Sequence, residues 1–306
     1  MAVRCVKGRE QWSDRQMDVG LPPTDLEVRQ YFQNYQPDVV IFIETPFNWK
    51  LTDIARKYGI KTVAIIMHET CTLERAAGAD LIICPCQSAW DKIPLPNKIL
   101  LPLPIGLDLF PHKQRDGHVF VFNMGYGGVN DRRQSVKTLA AFSLLRNPEA
   151  RLIINSQVPT NLKITDKRIE LREVNYPEPK QIYADGDIAL LPIAYGGYER
   201  MIPESMASGM PTLTMDADPM NTYQPDLDLR VRVNKQYRIT DQWVYNTVYN
   251  EVSIPDLLQK MEWLIGIDTP EYSLRARNWA EAQSWESTEP NYKAIWLQTL
   301  GELCSA

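Results

Sequence analysis

The chain has 306 residues, 44% of them hydrophobic and 23% charged, the composition of a globular protein with room for two ordinary domains. Its net charge of −5 excludes a generally basic surface, so the molecule as a whole is not an electrostatic trap for nucleic acid or anionic membrane. The five cysteines (Cys5, Cys71, Cys84, Cys86 and Cys304) include no CxxC pair, which argues against both a disulfide framework and a zinc site.

Residues 1–20 are polar and mixed in charge, without the apolar core of a signal peptide, and no window approaches the ~18 uninterrupted apolar residues of a membrane span. The expected location is the cytoplasm. Apolar runs at 38–43, 62–67 and 81–84 alternate with a helical pattern at 49–58. Such runs are continuous rather than alternating, as in parallel strands covered on both faces. Cys84 and Cys86 end the third run and read as packing residues.

A stretch rich in proline and leucine, 93–110, interrupts the rhythm and marks a boundary. Beyond it the alternation resumes: apolar runs at 119–123, 151–154, 188–191 and 212–215, with helices predicted over 133–145 and 202–208. From residue 254 onward, Leu257, Leu258, Met261 and Leu264, then Tyr292, Ile295, Trp296 and Leu300, recur at helical spacing. They predict terminal helices that pack on the domains, with Trp263, Trp279, Trp285 and Trp296 read as buried aromatics rather than a sugar-stacking platform. The fold class that follows is α/β with two Rossmann-like domains.

Two segments carry the chemistry. The first, 194–211, leaves the end of a strand and enters a short helix, the place where open α/β sheets bind ligands. Gly196 and Gly197 allow close backbone approach, amides from Gly197 through Tyr198, Glu199 and Arg200 to Met201 face an anion, and Glu204 can accept hydrogen bonds from ribose hydroxyls. The second, 125–134, is a glycine-rich strand-to-helix turn in which Gly125, Gly127, Arg132 and Arg133 can hold phosphate oxygens. It matches neither GxGxxG nor a Walker loop. Asp216 and Asp218 spell a DxD, read as a loop at a strand end rather than a metal site.

In order along the chain, these pieces resemble the retaining glycosyltransferases of the GT-B fold, family four, from about residue 30 to 300. The resemblance is carried by Ala79-Asp80, by 103–110 (LPIGLDLF), by Arg132-Arg133 ahead of Ala141-Phe142, by 183–187 (YADGD), and most specifically by 203–211 (PESMASGMP). It implies an acceptor-side domain over 1–110, trimmed relative to the family, and a nucleotide-sugar domain over 111–275, with helices over 276–306 crossing back to the first domain. It also implies that Glu204 grips the donor ribose, that Arg133 stands where the family neutralises the diphosphate with Arg132 assisting, that the base lies near Val174, and that His68 faces the donor sugar. The family's leading motif carboxylate is absent, because position 196 is Gly196; Glu199, three residues on, is the candidate replacement.

The catalytic set expected on this basis is His68, Arg133 and Glu199, with no metal and no cofactor, a nucleotide-diphosphate sugar (UDP-linked first) serving as co-substrate. The acceptor is not legible, and no membrane anchor is evident. A hydroxylated base in DNA is an alternative acceptor, and a catalytically inactive nucleotide-sugar-binding or scaffolding subunit is the rival from another class.

Overall fold

The structure is a computed structural model that describes residues 3–6, 16–19, 23–44, 49–115, 117–126, 131–241, 244–245, 247–267 and 269–305. The chain forms two compact units, one comprising Met1–Pro102 and Tyr292–Ala306, the other Leu103–Asn291.

In the first unit, β1 (Val3–Val6) and β2 (Gln16–Val19) form a parallel pair. Helix α1 (Asp25–Tyr35) starts at a capping box: Thr24 Oγ1 accepts from the Glu27 N–H at 3.3 Å, and the Glu27 carboxylate accepts from the Thr24 N–H at 2.7 Å. There follow β3 (Val39–Phe42), α2 (Lys50–Lys57), β4 (Lys61–Ile65), α3 (Leu73–Ala76), β5 (Leu81–Cys84), α4 (Gln87–Lys92) and β6 (Lys98–Leu100). Strands β3 to β6 make a four-stranded parallel sheet in sequence order. Val28, Tyr31 and Phe32 of α1 pack on Leu51, Ile54 and Ala55 of α2, so the 3.6-residue spacing of both helices is spent on one cluster. The Asp80 carboxylate accepts from the Thr62 N–H at 2.8 Å and from its hydroxyl at 2.6 Å, which ties the starts of β4 and β5 together. Strands β1 and β2 precede position 38, where no strand is legible in the sequence, and β6 falls inside the proline-rich stretch 93–110.

The second unit is built on β7 (Val119–Gly125), α5 (Ser135–Leu144), β8 (Arg151–Ser156), β9 (Ile169–Glu173), β10 (Ile188–Leu191), α6 (Met201–Ala207), β11 (Thr212–Met215), α7 (Met220–Tyr223) and β12 (Arg230–Val231). Its six strands are parallel in the order β12-β11-β10-β7-β8-β9. The chain winds outward from β7 to β9, then starts again beside β7 with β10 and winds the other way. That reversal opens a crevice at the carboxyl ends of β7 and β10. All residues of β10 and β11 are buried, the reason their runs are continuously apolar. The buried Arg115 guanidinium donates to the carbonyls of Tyr183 (3.2 Å), Gly186 and Ser208 (2.7 Å), fixing the approach to β10 against the end of α6.

An antiparallel pair, β13 (Val233–Ile239) and β14 (Thr247–Val252), follows β12. Then come α8 (Ile254–Ile265), α9 (Thr269–Ala282) and α10 (Trp285–Ser305), the last passing into the first unit at Tyr292. Leu257, Met261 and Leu264 of α8 are buried as expected, and the Trp263 ring meets Tyr272 edge-on at 5.4 Å. Helix α10 corrects the expectation of buried aromatics there. None of its residues is buried, and Trp285 is 44% exposed. Helical spacing identifies an apolar face but says nothing about whether a neighbour covers it.

The turn that leads into α5 hangs on Gln134, which is fully buried in a left-handed conformation (φ 54°). Its amide nitrogen donates to the carbonyls of Pro192 (2.8 Å) and Asn250 (3.1 Å), and its oxygen accepts from the Val252 N–H at 2.8 Å. One side chain thus joins the loop after β10 to β14. Gln134→Ala leaves these backbone groups buried without partners, at about 1–3 kcal/mol for each one that water cannot reach. The variant is expected to melt several degrees below the wild type, and an unchanged melting temperature would contradict this account.

Candidate functional site

A cavity of about 240 Å³ lies at the carboxyl edge of the second unit's sheet. The end of β7 contributes Asn123, Gly125 and Tyr126, and the end of β8 contributes Asn155, Ser156 and Gln157. Val174 and Tyr176 follow β9, Ile182 precedes β10, Arg133 comes from the turn before α5, and Met201 and Glu204 come from α6. These are the ends that the strand reversal leaves open.

Local chemistry fixes each wall. Gly125 adopts φ +55°, a left-handed conformation that favours glycine, and its carbonyl accepts from the Gln157 N–H at 2.9 Å, joining the first two walls. The Val174 N–H is taken by the Ser156 carbonyl at 2.9 Å, and Asn155 accepts from the Tyr176 hydroxyl at 3.1 Å. Asp131, also left-handed (φ 50°), accepts from the Ser135 N–H at 3.1 Å and so starts α5. The arginines are therefore held at the beginning of a helix. Gly127, expected to contact the donor, lies outside the described residues.

Arg133 and Glu204 are the charged groups in the lining. Burial, reinforced by the adjacent Arg132, pushes the Arg133 guanidinium down to about 9, which still leaves it a cation at neutral pH. Its Nη1 donates to the Glu199 carboxylate at 3.0 Å, while its Nε is buried with no hydrogen-bond partner. Glu204 accepts from the Tyr183 hydroxyl at 3.1 Å on one oxygen and lies 3.2 Å from Arg200 on the other. Burial raises its carboxyl above the ordinary range, against the opposing pull of Arg200 and Tyr183. Each carboxylate oxygen keeps a further lone pair for a ligand hydroxyl.

Of the residues singled out in the sequence, Gly125, Arg133, Val174, Met201 and Glu204 line the cavity, whereas Arg132, Gly196, Gly197, Tyr198, Glu199 and Arg200 do not. Arg132 donates from Nε to the Tyr195 carbonyl at 2.9 Å, stands over the Tyr195 ring and pairs with Glu199. The Tyr198 hydroxyl donates to the Leu103 carbonyl at 3.0 Å, and the exposed Arg200 reaches Glu204. His68 belongs to the first unit, in a short turn after β4, with Nε2 3.2 Å from Lys92 Nζ and Nδ1 3.9 Å from the Glu69 carboxylate. Asn123, Tyr126, Asn155, Ser156, Gln157, Tyr176 and Ile182 were missed in the sequence. The signal for six of them was present, since they close or closely follow strands whose carboxyl ends face the crevice.

Asp216 of the DxD accepts from the Asn221 amide at 3.3 Å and lies 3.8 Å from Arg230. Among the described residues no three His, Cys, Asp or Glu side chains gather as metal ligands, and no helix is long and apolar enough to cross a membrane. Cys71, Cys84 and Cys86 are buried free thiols, and burial pushes Cys71 up to about 12 and Cys84 up to about 11, so neither is a reactive thiolate.

Because burial raises the folded-state pKa of Glu204, its protonated form is the one the fold favours. That contribution is present at low pH and lost as pH rises through the raised value. Glu204→Gln keeps an acceptor for Tyr183 and loses an ion pair to an Arg200 that is 66% exposed and so contributes little. The variant is expected to melt no lower than the wild type at pH 7, with the difference shrinking towards pH 4. A fall of more than about 3 °C at pH 7, equivalent to about 1 kcal/mol, would contradict the assignment.

No family model matches the sequence, and no curated protein matches it. Solved structures do match. Over 89% of this chain and 57% of the other, it superposes on TarM at 13% identity with a TM-score of 0.66. Sucrose-phosphate synthase from Thermosynechococcus elongatus matches at 12% identity and TM-score 0.66, over 90% of this chain and 77% of that one. The pneumococcal O-GlcNAc transferase GtfA, solved with UDP and GlcNAc, matches at 15% identity and TM-score 0.60, over 93% and 60%. The chain thus spans somewhat under two thirds of the length of TarM and GtfA. With its two parallel α/β units, and with these transferases as structural neighbours, the chain has the fold of the GT-B glycosyltransferases.

Proposed function

We propose that the cavity of the second unit binds the nucleoside diphosphate of a sugar donor, and that the protein transfers the sugar to an acceptor hydroxyl. The observation that carries this reading is the Arg133 guanidinium: a half-buried cation lining a cavity at the strand reversal, with a buried Nε–H that has no partner. A buried donor left without an acceptor costs about 1–3 kcal/mol, which a phosphate oxygen would recover. Glu204, from the opposite wall element α6, accepts the ribose hydroxyls, and Val174 with Asn175 flanks the base.

As the bond from sugar to phosphate breaks, negative charge grows on the leaving diphosphate. Arg133 meets it directly, and Arg132 adds a second positive charge close by. The two guanidiniums outnumber the Glu199 carboxylate between them, and this fixed positive charge takes the part that a divalent cation would otherwise play at the leaving group. The departing phosphate takes the acceptor proton, and attack from the same face retains the anomeric configuration. Retention and the place of His68 in catalysis rest on the family resemblance. The UDP found with GtfA makes uridine the first base to try. A glycan or other hydroxyl is the acceptor class to test first, ahead of a base in DNA.

A second reading, a nucleotide-sugar-binding subunit without turnover, is favoured by one observation. Glu199 is held by two arginines and is therefore not free to act as an acid or base. Release of nucleoside diphosphate from a bound donor separates the two readings.

UDP, GDP, ADP and their sugar conjugates, tested by thermal shift, are expected to include one nucleotide class that stabilises the wild type. At about a hundredfold above the dissociation constant the gain is about 2.7 kcal/mol, a shift of several degrees. Arg133→Ala is expected to lose most of that response, and a panel that moves neither protein overturns the donor-site reading. With the donor class known, turnover is expected to survive EDTA; loss of activity restored by a divalent cation would refute the metal-free mechanism.

A further inference from the structure

Glu199 is 2% exposed. One carboxylate oxygen meets Arg132 Nη2, and the other accepts from Arg133 Nη1 at 3.0 Å. Room for that carboxylate exists because position 196 is glycine. A Cβ there would lie 2.7 Å from Glu199 Cδ, 2.8 Å from Arg132 Nη2 and closer still to a carboxylate oxygen. Gly196 is not among the glycines with positive φ, so the site requires its lack of a side chain and not its backbone freedom. The carboxylate that the motif lacks at position 196 therefore arrives from 199 and fills the space beside Gly196.

It does not arrive in the cavity. Arg133 is part of the lining and Glu199 is not, so Glu199 grips the guanidinium from outside the wall through Nη1, leaving Nε to a ligand. An arginine side chain is long and rotamer-rich, and one already held loses little freedom when it meets phosphate oxygens. Arg132 is fixed separately, by the Tyr195 carbonyl and ring, and closes the other side of the carboxylate.

We propose that Glu199 is a positioning residue that holds Arg133 in the cavity wall for the diphosphate, and that Gly196 is the residue that admits it. The proposal rests on the donor-site reading above. It predicts that residues 196 and 199 act as one unit, because a side chain at 196 would evict the carboxylate that 199 supplies.

The test is calorimetric titration of the intact protein with UDP and with inorganic pyrophosphate, using wild type, Glu199→Gln, Glu199→Asp, Gly196→Ala and the Gly196→Ala/Glu199→Gln double variant. Glu199→Gln and Gly196→Ala are each expected to weaken both ligands about tenfold or more, and Glu199→Asp to recover part of the loss, which a purely structural role would not require. The double variant is expected to bind no more weakly than either single one, since the two changes remove the same contact. Thermal melts run alongside identify any variant that fails to fold; should Glu199→Gln do so, Glu199→Asp and Gly196→Ala still decide. Unchanged binding in Glu199→Gln overturns the proposal, tighter binding overturns it and makes Glu199 a competitor of the ligand, and additive losses break the link to Gly196. If the wild type binds neither UDP nor pyrophosphate, the donor-site reading falls and this proposal with it. Wild-type binding that Arg133→Ala abolishes and Glu199→Gln leaves intact removes the present proposal alone.

Discussion

Two guanidinium groups cannot be buried side by side without an anion. Arg132 and Arg133 are adjacent in sequence and largely out of water, and Arg132 raises the cost of charging Arg133. Much of the local architecture of the second unit follows from that constraint. Glu199 lies between them, Gly196 has no side chain in its way, and Gln134 and Asp131 hold the turn on which both arginines ride. A single carboxylate does not balance two cations. Of the two, Arg133 is the one that lines the cavity, where under the proposed function the donor's phosphates would complete the neutralisation.

The sheet makes such a cluster useful. Parallel strands end together at one edge, and where the winding reverses between β7 and β10 the loops diverge and leave a crevice. The groups that meet there come from points scattered along the sequence between Asn123 and Glu204. Helix α6 has seven residues, too few for its dipole to carry the site, so fixed side-chain charge takes the larger share. Glu204 contributes the opposite sign: its carboxylate is desolvated and held by Tyr183 and Arg200. The lining thus sets a cation and a carboxyl acceptor side by side, the pair that the phosphates and hydroxyls of the proposed donor would use.

Much of the layered fold was readable from periodicity. Continuous apolar runs at 81–84, 188–191 and 212–215 are strands with the same limits, because full burial on both faces leaves no polar alternation to blur their ends. Strands of other character escaped. The run Ile169–Glu173 is half-exposed and carries three charges, and β13 is exposed along most of its length, so neither has an apolar signature. Helix α10 failed in the other direction, with apolar spacing present and burial absent.

The sequence by itself determined the alternating strands and helices of both halves, the glycine-rich turn before a helix, and the presence of arginines and Glu204 near strand ends. These are local properties, set by spacing and composition. The tertiary structure alone decided that Arg133 and Glu204 share one cavity, that Asn155, Gln157 and Tyr176 join them, that Tyr198 turns away to Leu103, and that the Glu199 carboxylate occupies the space beside Gly196. The reason is physical: which side chains meet at a sheet edge depends on strand order and on the few ångströms of room that a missing Cβ leaves, and neither is written in the spacing of residues along the chain.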